Sequence, residues 1–304
     1  MKDPIIISVG GGKGGVGKST ITANLGATLS QKGYSVGFID ADLGGANLHL
    51  CLGVKRPAAG LQDYISGKYK SLSEIAVPTV IPNSWLVSGA SDILELANPN
   101  FAQKQKIINN LRKMNADYII VDLGAGSNYH VTDFFAAFPH DIVVVDGLPT
   151  SIENAYGFLK NGVVRGLVRL FPGNTPIQKR IRSFSDPISM KAFATVNELL
   201  SSLAKTYPQE VAHMKQWLHQ RRTLLILNMV RTADDIKVGT RFSEMVKKYL
   251  SVTLHYIGYI TYSPDFRTSI RQMRPLMLEN NQEKTRECFE AITQNIIAIT
   301  REQT

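Results

Sequence analysis

Residues 11–20 read GGKGGVGKST, and this stretch decides the fold. Gly12 to Ser19 fits G-x-x-x-x-G-K-[ST] at every fixed position. The apolar run PIIISVG (4–10) leads into it, and a helical pattern over 18–32 leads out. Strand, glycine-rich loop and helix in that order make a phosphate-binding unit. Gly12, Gly14, Gly15 and Gly17 let the backbone N–H groups, with those of Lys13 and Val16 between them, turn inward around a polyphosphate. A helix opening at Lys18, Ser19 and Thr20 adds the partial positive charge of its N-terminus. Lys18 is expected to reach the β- and γ-phosphates, and Ser19 to ligate Mg2+. Lys13 is left over, because a loop of this type needs no lysine there.

Outward from the loop, short apolar runs alternate with helical patterns. YSVGFID (34–40), WLVSGA (85–90), YIIVDLG (118–124), DIVVVDG (141–147), TLLILNM (223–229) and LHYIGYI (254–260) read as strands. They are continuous rather than alternating, as parallel strands covered on both faces are. Helices are expected at 101–114, 151–165, 240–250 and 283–301. The fold class is therefore α/β, a doubly wound and mostly parallel sheet. Ligands on such sheets bind beyond the carboxyl ends of the strands, so the loops after SVG, FID, IIVD and LILN belong to one face. From about 162 to 222 no strand pattern appears, roughly four times the length of a simple crossover. MKAFATVNELLSSLAKTY (190–207) and EVAHMKQWLHQRR (210–222) have helical spacing there. The expectation is one domain over 1–304 with a helical insertion.

Of 304 residues 44% are apolar and 19% charged, which excludes a disordered chain. The net charge of +9 favours an anionic partner without choosing among nucleotide, nucleic acid, acidic lipid and acidic protein. The only two cysteines, Cys51 and Cys288, make neither a disulfide framework nor a zinc motif. No apolar run approaches the roughly 20 residues that span a bilayer, and Ile5–Ile7 passes straight into the glycine loop without a signal-peptide pattern. A cytoplasmic protein is expected.

The loop KGGVGKST, with FIDADLGGANLHLCLG (38–53) and YIIVDLGAGSN (118–128), resembles the deviant Walker A ATPases of the MinD/ParA group. DADLGGANLHLCLG (40–53) and LPTSIENAYGFLKN (148–161) look most like its flagellar-number regulators, the FlhG/FleN branch. The resemblance implies a P-loop NTPase of the SIMIBI type that binds ATP and Mg2+, pairs with a second copy on binding ATP, and hydrolyses it slowly. In that family the extra lysine, here Lys13, reaches the partner's phosphates. This is a cation supplied in trans to charge developing on the γ-phosphoryl oxygens. The resemblance assigns Asp42 to the attacking water, Asp40 to the neighbourhood of the Mg2+ shell and Asp122 to a Mg2+-bound water. It assigns Asn228 to the adenine edge and places Pro264, in TYSPDF (261–266), beside the base. Gly124–Gly126 is the corresponding switch.

Several features depart from the pattern. Asn154 stands where the family keeps a carboxylate near the signature lysine, with Glu153 adjacent. The sequence begins just before its first strand, so the activity of the flagellar proteins' N-terminal extension is not expected of it. Its last helix carries Phe289, Ile292, Ile296 and Ile299 at helical spacing with few cations opposite, which predicts docking on the core rather than on a membrane. The expected role is a positioning switch for a flagellar or other cell-pole assembly, acting on a protein partner the sequence does not name. The alternative is a partition-type ATPase that binds DNA nonspecifically through Arg165, Arg169, Lys179, Arg180 and Arg182. Membrane association is left open, with no clear targeting helix.

Overall fold

The computed structural model describes residues 3–89, 99–185, 193–279 and 283–301. Seven strands follow the apolar runs: β1 Ile5–Gly10, β2 Val36–Asp40, β4 Ser84–Val87, β5 Tyr118–Asp122, β6 His140–Val145, β7 Arg222–Val230 and β8 Leu254–Thr261. Periodicity missed β3, Val77–Pro78, which is two residues long. They form one eight-stranded sheet in the order β3-β4-β2-β5-β1-β6-β7-β8. All neighbours are parallel except β3 and β4. Pro78 fits that place, since an edge strand tolerates a missing N–H.

The sheet is covered on both faces, which is why its strands read as unbroken apolar runs. One face packs under α1 (Lys18–Gln31) and α12 (Glu283–Arg301), with Ile21, Leu25, Phe289, Ile292 and Ile296 buried against Ile7, Val9 and Phe38. The last helix therefore docks on the core, as its spacing predicts. Among the described residues no helix is long and apolar enough to cross a membrane. The other face is covered by α4 (Phe101–Leu111), α5 (Tyr129–Phe135), α6 (Pro149–Arg169) and α10 (Ala233–Leu250). Short α2 (Leu48–Cys51) and α3 (Leu61–Ile65) follow β2, and α11 (Asp265–Arg271) follows β8.

Two helices outrun their patterns. The α6 helix starts at Pro149, whose fixed φ suits a first turn, and α10 starts at a Thr232–Asp235 capping box rather than at 240. Between α6 and β7 lie α7 (Thr175–Arg182), α8 (Val196–Ala204) and α9 (Pro208–Gln220). The first of these was not expected. Ile177, Ile181, Leu199, Leu203, Val211 and Met214 join the same core as α6, so the long connection is packed helix. Ala90 of the expected WLVSGA strand and residues 190–192 of the expected helix lie outside the described residues.

Candidate functional site

The glycine loop joins β1 to α1 at the carboxyl edge of the sheet. Gly12, Gly15 and Gly17 all have positive φ, at 70°, 81° and 92°. At Gly12 a Cβ would stand 2.3 Å from the Asn154 carbonyl oxygen, a backbone atom that does not yield. The carbonyl of Gly12 accepts the Gly126 N–H at 2.9 Å, which ties the phosphate loop to the loop after β5. Val16 is fully buried and anchors the loop to the core. Lys18, 8% exposed, donates from Nζ to the Lys13 carbonyl at 3.1 Å. Burial lowers its pKa, against the opposing pull of Asp122 and Asp42.

Three carboxylates stand behind and beside this loop. Asp40 and Asp122 end adjacent strands in direct register. Both are buried, and burial is the main cause that raises each pKa; Asp122 is pushed up to about 7 despite hydrogen bonding from Ser19 and the nearby Lys18 charge. Asp40 accepts the N–H groups of Asp42 and Leu48, each at 3.1 Å. Its oxygens therefore shape the turn that carries Asp42. Asp42 lines the open cleft and faces Gly124, where a Cβ would come within 3.0 Å of its Oδ1. Glycine there keeps the carboxylate accessible.

Lys13 points away from the cleft. Its Nζ lies 3.7 Å from Asp146 Oδ2 and 3.3 Å from Thr150 Oγ1. Asp146 closes β6 and is only 11% exposed. The side chain of Asn154, the position flagged in the sequence, donates instead to the Thr150 carbonyl at 2.6 Å. The carboxylate that holds Lys13 is thus eight residues earlier than expected. Sequence reasoning passed over Asp146 because a lone Asp after a strand reads as a turn residue.

Asn228 also has an unexpected partner. It is 7% exposed and donates from Nδ2 to the Val16 carbonyl at 2.8 Å, bracing the phosphate loop from β7. One of the two N–H groups of its amide is engaged there. Pro264 caps α11 and lines the cleft. The cleft itself measures about 770 Å3 and is lined by the loop residues Gly14 to Thr20 other than Val16, by Asp42, and by Met229, Tyr262 and Arg267 across from them.

These residues fit a magnesium nucleotide. The loop combines positive-φ glycines, a buried lysine and the N-terminus of α1. Ser19 and Asp122 are oxygen donors in hydrogen-bond contact. Among the described residues no group of three or more His, Cys, Asp or Glu is placed to hold a metal ion.

The basic residues expected on a nucleic-acid surface divide. Arg165 and Arg169 turn onto fully buried Asp133, where Lys104 joins them. They hold α4, α5 and α6 together. Lys179, Arg180 and Arg182 are exposed on α7.

Comparison with known proteins agrees with this geometry. A family model described as the CobQ/CobB/MinD/ParA nucleotide binding domain matches residues 7–296. The chain is 26% identical over 292 residues to the antiactivator FleN of Pseudomonas aeruginosa, covering 96% of this chain and 85% of that protein. It is 37% identical over 161 residues to the flagellum site-determining protein YlxH of Helicobacter pylori, covering 51% and 52%. The chain spans about half the length of that relative and of the MinD proteins it matches. In structure it resembles the septum site-determining protein MinD complexed with Mg-ADP from Pyrococcus horikoshii, at a TM-score of 0.66 and 19% identity over 99% of both chains. A ParA family ATPase from Chlorobium tepidum gives 0.64 and 17% over 95% of this chain and 98% of that one.

Proposed function

Because the chain belongs to the CobQ/CobB/MinD/ParA nucleotide-binding family, we propose that it is a MgATP-hydrolysing switch. Its ATP-loaded form pairs with a second copy and positions another assembly in the cell. The observation that carries this reading is the pair of lysines in one loop. Lys18 is buried at the phosphate cradle, while Lys13 stands at its outer edge, one-third exposed and away from its own cleft. A cation so placed serves a neighbour's site better than its own. Four apolar side chains on the same face are exposed: Leu148 next to Asp146, and Met229, Tyr262 and Ile270 at the cleft mouth. A second copy covering this face removes them from water.

In this reading the glycine loop and Lys18 bind the phosphates, and Asn228 keeps the loop rigid through Val16. Ser19, with Asp122 behind it, would hold Mg2+, which would supply charge neutralisation at the phosphoryl oxygens. Asp42 orients the attacking water, and Lys13 of the second copy completes the charge around the γ-phosphoryl group. The positioning role is supported by the names of the relatives, a flagellum site-determining protein and septum site-determining proteins.

Two variants test the proposal. Lys18→Ala is expected to abolish ATP binding; affinity within about threefold of wild type overturns the phosphate-loop assignment. Asp42→Ala is expected to bind ATP, hydrolyse it far more slowly and persist as a dimer in size-exclusion chromatography. A monomeric Asp42→Ala with normal turnover overturns the assignment of the water-orienting group.

A further inference from the structure

The nucleotide cleft has two chemically different ends. Toward β2 and β5 it carries Asp42, with Ser19 bonded to buried Asp122. Toward β7 and β8, on the other side of β1 in the sheet, it carries Met229, Tyr262, Pro264, Phe266 and Ile270, and α11 adds Arg267 and Arg271. A polyphosphate seated on the loop and the first end leaves the rest of its ligand to the second. That second end is mainly apolar, yet Met229, Tyr262 and Ile270 stay exposed there.

Tyr262 is fixed from behind. Its N–H donates to the Val230 carbonyl at 2.9 Å, so the loop after β8 is still paired with β7. The guanidinium carbon of Arg231 lies 3.8 Å from the ring centroid, a close cation–π stack. Tyr262 lines the cleft and Arg231 does not, so the ring stands between the arginine and the cleft. The Arg231 N–H is itself held by Asp235 Oδ2 at 2.9 Å, at the capping box of α10. A ring that is 48% exposed and already clamped on one side loses little rotamer freedom when a flat group settles on the other. Met229 stands nearby with φ at 59°, where the pairing of β7 with β8 shifts register between Leu227 and Val230. That strain does not serve burial, since Met229 remains 37% exposed on the cleft wall.

We infer that the Tyr262 ring is the stacking platform for the base of a bound nucleotide, with Arg231 as the positioning residue behind it and Met229 as a second apolar wall of the same slot. The inference rests on the nucleotide reading above and adds which side chains select the base. Stacking grows with flat area, so a purine is held more tightly than a pyrimidine. The phosphates are held elsewhere, by the glycine loop and Lys18, so loss of the platform separates base from phosphate.

The test titrates the full chain calorimetrically with ADP, CDP and pyrophosphate in the presence of Mg2+, because on the nucleotide reading only ATP brings in a second copy. Wild type is expected to bind ADP more tightly than CDP. Tyr262→Ala is expected to weaken ADP about tenfold, the size of one stacked base, to narrow the preference over CDP, and to leave pyrophosphate unchanged. Tyr262→Phe keeps the ring and is expected to bind ADP as wild type does. Arg231→Gln and Met229→Ala are expected to weaken ADP by smaller factors, again without effect on pyrophosphate. If wild type binds neither ADP nor pyrophosphate, the nucleotide reading falls and the platform with it. If both bind and Tyr262→Ala weakens them equally, or weakens neither, the platform alone is overturned. A Tyr262→Ala chain that binds ADP normally and fails only in ATP-dependent pairing also overturns it, because the ring then serves the second copy.

Discussion

Replacing Asp146 by Asn is expected to strengthen ATP-dependent pairing of two copies. Lys13 is held in its own chain by Asp146 at 3.7 Å and by Thr150 at 3.3 Å. At that separation the Coulomb attraction is about 4 kcal/mol for an effective dielectric of 20. Lys13 is one-third exposed, so solvent screening and side-chain entropy reduce the net value to about 1 kcal/mol. Asn keeps the Oδ1 acceptor that receives the Leu148 N–H at 3.1 Å, so the start of α6 survives the change. If Lys13 must leave Asp146 to reach a partner's phosphates, a symmetric dimer breaks two such contacts. Their combined cost is about 2 kcal/mol, and removing it tightens the dimer roughly thirtyfold. Sedimentation equilibrium with a non-hydrolysable ATP analogue reads this directly, with Thr150→Val expected to give a smaller shift in the same direction. An Asp146→Asn chain that pairs no more tightly than wild type refutes the reasoning, because Asp146 would then be holding Lys13 in place within the dimer as well.

Asn228→Ala is expected to weaken binding of inorganic tripolyphosphate as well as ATP, since it strips the brace from the Val16 carbonyl and leaves a buried acceptor unpaired, at about 1–3 kcal/mol; a loss confined to ATP, read by calorimetry, would restore the adenine contact. Phe289→Ala is expected to cost about 3–5 kcal/mol in chemical denaturation, because the ring is fully buried between α12 and the sheet; a loss below 1 kcal/mol would mean that α12 does not dock as described. Burial, with Arg222 and Arg221 adding to it, lowers the His140 pKa to about 4, against about 6.5 when unfolded. The unfolded chain therefore takes up this proton first, so stability is intact above pH 6.5 and lost as pH falls toward 4; the slope is on the order of 3 kcal/mol over that window, and His140→Gln should flatten it in pH-resolved melting curves.

The sequence alone determined the sheet and the glycine loop at its carboxyl edge. Glycine spacing, a Lys-Ser pair and unbroken apolar runs are local signals. Each reports what one strand or turn needs, and the strands from Ile5–Gly10 to Leu254–Thr261 follow them closely. The docking of α12 was legible for the same reason, since Phe289, Ile292 and Ile296 recur at the helical period. What tertiary structure decided is which distant side chains meet. Asp146 and Asn154 are both polar residues near the start of α6, and only the packing of that helix against Gly12 selects Asp146 for Lys13. Arg165 and Arg169 looked like surface charge until α5 brought Asp133 beneath them. The Asn228 amide was drawn to the Val16 carbonyl because β7 delivers it behind the phosphate loop, 212 residues away in the chain. Such partnerships depend on three-dimensional distance, and spacing along a single sequence carries no record of it.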